Sequence, residues 1–149
     1  MKRSFELIIY QPLDIVWQAF SDPSYLKFWQ PRLKDYRHQS GEVGSPGAKS
    51  QLQYMELGQI ISMTETILEN KPMSEFAALY TGRFGESKMR HLFRSQPDRA
   101  TNWSIDVQFI WQGLVGKLMG RFAEETMQKR FYEDFQNFKL FVESYQWKP

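Results

Sequence analysis

The sequence predicts an α+β fold: a curved, seven-stranded antiparallel sheet wrapped around one long C-terminal helix, with two short helices after the first strand. Three observations support this prediction. Short turn signals separate seven strand-like segments, which favours antiparallel pairing of consecutive strands. Two short helical patterns stand between the first strand and the second. From residue 116 to residue 145 the chain contains no proline and, beyond Gly120, no glycine, which indicates one long helix.

The composition is typical of a globular protein and excludes several classes of function. Hydrophobic residues make up 42% of the 149-residue chain and charged residues 24%, and this length predicts a single domain over residues 1–149. The absence of cysteine excludes disulfides, thiolate metal sites and cysteine nucleophiles. A net charge of +2 without a long basic run argues against a nucleic-acid partner. The short apolar run at the start predicts neither a signal peptide nor stable membrane insertion, so a cytoplasmic protein is expected.

The opening of the chain predicts a strand followed by two short helices. The strand covers residues 5–10 and stops before Pro12, a residue that suits the first turn of a helix. Four apolar residues then recur at helical spacing: Leu13, Val16, Trp17 and Phe20. Asp22 and Pro23 begin a second helix, which carries Trp29 and ends before Pro31.

Six further strands follow, with turn residues between them. They are predicted over residues 33–39, 48–57, 60–69, 75–84, 87–95 and 101–111, with a glycine-rich loop over Gly41–Gly47 and a turn at Gly85–Glu86. The last strand alternates most clearly, so its apolar face is expected to face the long helix: Trp103, Ile105, Val107, Phe109 and Trp111. Residues 60–69 carry apolar side chains on both faces, and the alternation leaves open which face points inward.

The long helix is predicted to lie along the sheet and to leave part of the interior empty. Its apolar residues recur at helical spacing without a strict heptad: Leu118, Phe122, Phe131, Phe135, Phe138 and Val142. A twisted sheet of seven strands is too wide for one helix to fill. The two short helices would close one end, and we therefore expect a cavity in the middle. Aromatic residues, 16% of the chain, would line part of it.

These residues resemble the start of the SRPBCC superfamily, also called START-like or helix-grip proteins, which includes the polyketide cyclase/dehydrase and lipid-transport group. The resemblance rests first on Pro12, Val16, Trp17, Phe20 and Asp22, followed by a tryptophan seven residues on, and it extends over nearly the whole chain. It implies a hollow shell that holds apolar molecules. It also implies that the Trp17 and Trp29 helices form a lid, and that Phe122, Phe131 and Phe135 form one wall. No shared catalytic residue is implied.

Further ligand contacts are predicted from the side chains themselves. Tyr54, Tyr80 and Trp103 each join a polar tip to an apolar body, and Ile105 shares the face of Trp103. Plain core packing is the alternative for each of them.

Glu65 and His91 are the candidate acid–base residues. Glu65 facing the cavity would have a raised pKa, whereas on the outer face it would be wet; pairing with Arg83 or Arg90 across neighbouring strands would make it structural. His91 shares a strand face with Met89 and Phe93 and is either a general base or a satisfied interior histidine. His91 and His38 are far apart and form no ligand pair, so no metal site is predicted, and no cofactor motif is present.

Three functions remain open at the level of sequence. The first is a non-enzymatic binding or transport module for a small hydrophobic or amphipathic molecule, lipid-like or polyketide-like, acting as a monomer or homodimer. The second is a cyclase or dehydratase that uses acid–base residues in the same cavity. The third is a protein-interaction module that acts through its exterior. The first is favoured over an enzyme because no catalytic constellation is evident.

Overall fold

The computed structural model describes residues 1–56 and 58–147, except for four side chains in the C-terminal helix: Val115, Met119, Arg121 and Phe122. The predicted order of elements is confirmed. The strands are β1 (Lys2–Ile9), β2 (Leu33–Ser40), β3 (Lys49–Glu56), β4 (Gln59–Lys71), β5 (Glu75–Gly82), β6 (Gly85–Gln96) and β7 (Ala100–Trp111). The helices are α1 (Leu13–Ser21), α2 (Leu26–Trp29) and α3 (Gly113–Ser144), and a 3₁₀ turn (Pro23–Tyr25) leads into α2.

The seven strands form one antiparallel sheet in the order β1-β7-β6-β5-β4-β3-β2. Each strand from β2 to β6 pairs with the next along the chain, and β1 pairs with β7 at the other edge. One predicted turn was wrong, because the β5–β6 turn lies at Arg83–Phe84 and Gly85 already belongs to β6. Gly85 is required there for space, since a Cβ atom would collide with the carbonyl oxygen of Ile110 on β7.

The helices begin where the local chemistry predicts. Pro12, in an extended conformation, directly precedes α1. The side chain of Asp22 accepts a hydrogen bond of 2.9 Å from the backbone N–H of Ser24, which caps the 3₁₀ turn. The 32 residues of α3 make it about 48 Å long at 1.5 Å per residue. This helix lies closest to β1 and β7 at one side of the sheet, and α2 packs against it.

The inner face of the sheet divides into two regions that differ in packing. In the first, the packed half, inward side chains of β1, β6 and β7 meet α1 and the second half of α3; its members include Ile9, Val16, Phe93, Trp103, Ile105, Phe135, Phe138 and Val142. Trp103 and Phe138 have no exposed surface, and their rings lie 4.8 Å apart. In the second, which we call the open half because α3 lies closest to β1 and β7, the inward residues of β3, β4 and β5 include half-buried Tyr54, Met63 and Tyr80 beside buried Leu52, Glu65 and Ile67.

Candidate functional site

Glu65 lies on the inner face of β4, at the centre of the open half. The register places it opposite Ser50 of β3 on one side and Tyr80 of β5 on the other. The question that the sequence left open is therefore answered, since the face with Ile61, Met63, Glu65 and Ile67 points inward. Only 8% of Glu65 is exposed. A carboxyl group at such a position needs hydrogen-bond partners, because an unpaired buried charge is costly.

Two tyrosine hydroxyls donate to the Glu65 carboxylate. The hydroxyl of Tyr80 donates to Oε2 at 2.9 Å, and the hydroxyl of Tyr36 makes a longer contact to Oε1 at 3.4 Å. Ser50 in turn donates to the Tyr36 hydroxyl at 3.0 Å. Strands β2, β3, β4 and β5 thus each contribute one side chain to a single polar cluster on the inner face. All of the donors in it are neutral.

Desolvation governs the protonation of this cluster. Burial raises the pKa of Glu65 above its usual range, and the hydrogen bonds from Tyr80 and Tyr36 offset only part of that effect. Burial raises the pKa of the Tyr80 phenol well above its ordinary value, and the nearby Glu65 charge adds to the shift. The pKa of Tyr36 is raised for the same two reasons. The three groups therefore favour their protonated forms over a wider range of pH than they would in water.

Three tyrosines, which we call the tyrosine wall, line the open half around Glu65: Tyr36, Tyr54 and Tyr80. Each ring is half-buried. Burial also raises the pKa of Tyr54, whose hydroxyl donates to the side-chain oxygen of Gln30 at 2.9 Å. The three tyrosines therefore combine hydrogen-bonded hydroxyls with some remaining accessible surface.

An ion-pair network joins the edge of the open half to α3. Arg32, which precedes β2, reaches Glu56 at the end of β3 (3.3 Å) and Asp134 on α3 (3.3 Å). Arg130 of α3 also pairs with Glu56. Burial raises the pKa of Asp134 to about 7, although the Arg32 charge opposes the shift. This network ties the β2–β3 edge to the long helix beside the tyrosine wall.

His91 points inward as one sequence interpretation expected, and it belongs to the packed half. It is 3% exposed, and its Nδ1 accepts a hydrogen bond from the indole N–H of Trp103 at 3.3 Å. Burial lowers the pKa of His91 to about 3, so the ring is neutral at pH 7. The proton of the neutral ring then resides on Nε2. This geometry favours the interpretation of His91 as an interior histidine, with Nδ1 hydrogen-bonded to Trp103.

The structure distributes the predicted ligand contacts between the two halves. Tyr54 and Tyr80 lie in the tyrosine wall, whereas Trp103 and Ile105 are completely buried in the packed half. Phe135 is buried there as well, and half-buried Phe131 stacks on it at 6.3 Å. The side chain of Phe122 lies outside the described residues. Binding roles for all of these residues remain predictions.

The two predicted lid tryptophans sit on the short helices and contact the core. Trp17 of α1 packs edge-on against Phe93 at 5.3 Å. Trp29 of α2 is 4% exposed and packs against Phe138 of α3 at 5.1 Å. Its indole nitrogen is buried without a hydrogen-bond partner among the described residues. A lid role for both helices remains a prediction.

Sequence reasoning did not identify three members of the site: Gln30, Tyr36 and Ser50. Apart from Leu33, the other residues of the strand that carries Tyr36 are charged or polar, and Ser50 alternates in phase with Leu52 and Tyr54. The alternation of β3 was therefore a usable signal for Ser50. Tyr36 had no comparable signal, because β2 has register irregularities on both sides of it.

Two further hollows occur among the described residues, both away from the tyrosine wall. A polar hollow of about 390 Å³ lies on the outer face at the β2–β3 edge, and a hollow of about 370 Å³ lies where the end of β7 meets the first half of α3. No group of three metal-ligating side chains occurs among the described residues. Within the same residues, no helix has the length and apolar character that crossing a membrane demands.

Comparison with solved structures gives many neighbours at low sequence identity. The Zhui aromatase/cyclase from Streptomyces sp. R1128 matches with a TM-score of 0.82 and 13% identity, covering 96% of this chain and 93% of that one. A START superfamily protein from Mycobacterium smegmatis matches with a TM-score of 0.70 and 14% identity, covering 90% and 93%. Ara h 8.0201 matches with a TM-score of 0.77 and 12% identity, covering 97% and 99%. No family model and no curated protein matches the sequence.

These likenesses show the fold. The chain has the helix-grip architecture that the sequence resemblance implied, with a seven-stranded antiparallel sheet, a long C-terminal helix and short helices after the first strand. At 12–14% identity they assign no ligand or reaction.

Proposed function

We propose that this protein binds or carries a small amphipathic molecule in the open half of the grip, between the tyrosine wall and α3. The observation that supports the proposal most is that three half-buried tyrosines surround a buried carboxylate, Glu65, whose oxygens accept hydrogen bonds from Tyr36 and Tyr80. Ligand sites combine a largely apolar lining with a few placed polar groups. Here Met63 and the rings supply the apolar lining, and the Glu65 cluster supplies the polar groups.

A pair of methionine variants tests this role. Met63 is half-buried and inward-facing on β4, whereas Met55 is 37% exposed near the end of β3. Met63→Trp would fill the open half, and Met55→Trp would add the same ring to the surface. We expect wild type and Met55→Trp to bind the fluorescent probe N-phenyl-1-naphthylamine one to one, and Met63→Trp to bind it about tenfold more weakly or worse.

The contradictory result is equally specific. A Met63→Trp variant that is folded by circular dichroism and binds the probe as tightly as Met55→Trp would place the binding site elsewhere or show that no interior site exists. If instead the variant pair behaves as expected, extraction and mass spectrometry of molecules that co-purify with the wild-type protein would identify the class of the natural ligand.

An acid–base enzyme of the cyclase or dehydratase type is the second candidate. It is favoured by the convergence of Glu65 with two tyrosine hydroxyls inside the sheet. Among the described residues, His91 is hydrogen-bonded to Trp103 and not to a member of that cluster. Conversion of a poly-β-ketone probe by the wild type and not by Glu65→Gln would favour the enzyme over the carrier.

A further inference from the structure

Glu65 is the most deeply buried carboxylate among the described residues, and its described hydrogen-bond partners are neutral. Glu56 and Asp134 are each paired with arginine. Glu65 instead accepts hydrogen bonds from two phenols, and no lysine or arginine among the described residues pairs with it. A buried carboxylate without a positive partner is costly, and the cost falls when a cation approaches it.

The surroundings of Glu65 suit an organic cation. Tyr36 and Tyr80 are held against the carboxylate by their hydroxyls. On the adjoining strand β3, Tyr54 shares the inward face of Ser50 and Leu52. The electron-rich faces of aromatic rings attract ammonium groups, more strongly where water is excluded. A carboxylate accepting one hydrogen bond on each oxygen also keeps free lone pairs for a further donor.

On the basis of the proposed interior site, we propose that its ligand is an aryl- or alkylamine whose protonated nitrogen pairs with Glu65 within the tyrosine wall. An ammonium group supplies both the missing positive charge and the N–H donors that the carboxylate can still accept. A neutral alcohol supplies a donor without the charge. An acid of the same size would bring a second negative charge to a desolvated carboxylate, which is unfavourable.

Three probes with one skeleton test the inference on the wild-type protein. They are 2-(1-naphthyl)ethylamine, 2-(1-naphthyl)ethanol and 1-naphthylacetate, which share the naphthalene ring and differ in the polar group. At pH 7.5 we expect the amine to bind about tenfold more tightly than the alcohol, and the carboxylate to bind most weakly. Isothermal titration calorimetry gives the three dissociation constants directly.

Two variants assign the preference to Glu65. In Glu65→Gln, the amine and the alcohol should bind with equal affinity, because the charge is lost and the shape is kept. Glu69→Gln is the matched control, since Glu69 is an exposed glutamate on the same strand, and it should keep the wild-type preference. If Glu65→Gln does not fold, Tyr80→Phe serves instead, because it removes one hydrogen-bond donor to the carboxylate. This variant should change the ratio of the dissociation constants of the amine and the alcohol. Tyr132→Phe, on the exposed side of α3, should leave that ratio unchanged.

The outcomes separate this inference from the function on which it rests. Equal binding of amine and alcohol to the wild type, or an amine preference that survives in Glu65→Gln, overturns the inference and leaves the interior site in place. If none of the three probes binds and N-phenyl-1-naphthylamine does not bind either, the interior site itself is overturned, and the inference with it.

Discussion

Glu65 and His91 are both buried and titratable, but their hydrogen-bond partners differ. Glu65 accepts hydrogen bonds from the hydroxyls of Tyr36 and Tyr80, whereas His91 accepts one from Trp103 and packs among Phe20, Phe76 and Phe135. The sequence identified both residues and could not distinguish their roles. The distinction depends on which neighbours the sheet register supplies, and the register is a property of the fold.

The His91 environment predicts a loss of stability in acid. Its pKa is about 3 in the folded protein and near 6.5 when unfolded, so the unfolded state binds more protons between these values. The stability that His91 contributes is present above pH 6.5 and is lost as the pH falls towards 3, by up to about 1.4 kcal/mol per pH unit. Urea unfolding of His91→Gln and wild type between pH 7 and pH 4 measures the difference.

His91→Gln should lose less stability on acidification than the wild type, even though it is less stable at pH 7. The matched control is His38→Gln, because His38 is exposed and its Nε2 donates to the carbonyl oxygen of Gly41 in a loop at 2.8 Å. Parallel pH profiles for wild type and His91→Gln would show that the histidine is accessible to protons in the folded protein.

At the scale of elements, two glycines determine how closely α3 approaches the end of the sheet. A Cβ atom at Gly116 would lie 2.6 Å from the carbonyl oxygen of Phe84, and one at Gly120 would lie 2.5 Å from Cδ1 of Trp111. Glycine normally weakens a helix, so its presence twice in this turn of α3 reflects contact with β7 and the β5–β6 turn. This role could not be predicted from the sequence, because the contacts with Phe84 and Trp111 arise from the packing of α3 against the sheet.

Gly120→Ala should therefore destabilise the protein, although alanine favours an isolated helix by about 1 kcal/mol. The clash with the Trp111 ring outweighs that gain, and thermal unfolding measures the net effect. In a Trp111→Ala background the same substitution should cost less, because the clashing ring is gone. An equal cost in both backgrounds would mean that the glycine acts through something other than this contact.

At the scale of the whole molecule, alternation and turn chemistry predicted the fold in outline. The pattern from Trp103 to Trp111 has one apolar face and one polar face, and its inward face was predicted correctly. The orientation of β4 was not predictable, because Ile60 and Leu68 on one face balance Ile61 and Ile67 on the other. The β5–β6 turn was misplaced because Gly85 serves close packing against β7 rather than chain reversal.

The division between the packed half and the open half could not be read from the sequence. Aromatic residues are abundant along the whole chain, and composition does not say which of them α3 covers. That helix lies closest to β1 and β7, so Trp103 is enclosed by protein while Tyr54 and Tyr80 retain accessible surface. The candidate site follows from this offset of the helix across a curved sheet.

A methyl NMR titration tests most directly whether the open half receives a ligand. In protein labelled with ¹³C at the methionine methyl groups, N-phenyl-1-naphthylamine should shift the signal of half-buried Met63 and leave that of exposed Met55 unchanged. The aromatic rings of the probe shift only nuclei that lie beside them. Shifts confined to Met55, or saturating binding with no change at Met63, would contradict an interior site.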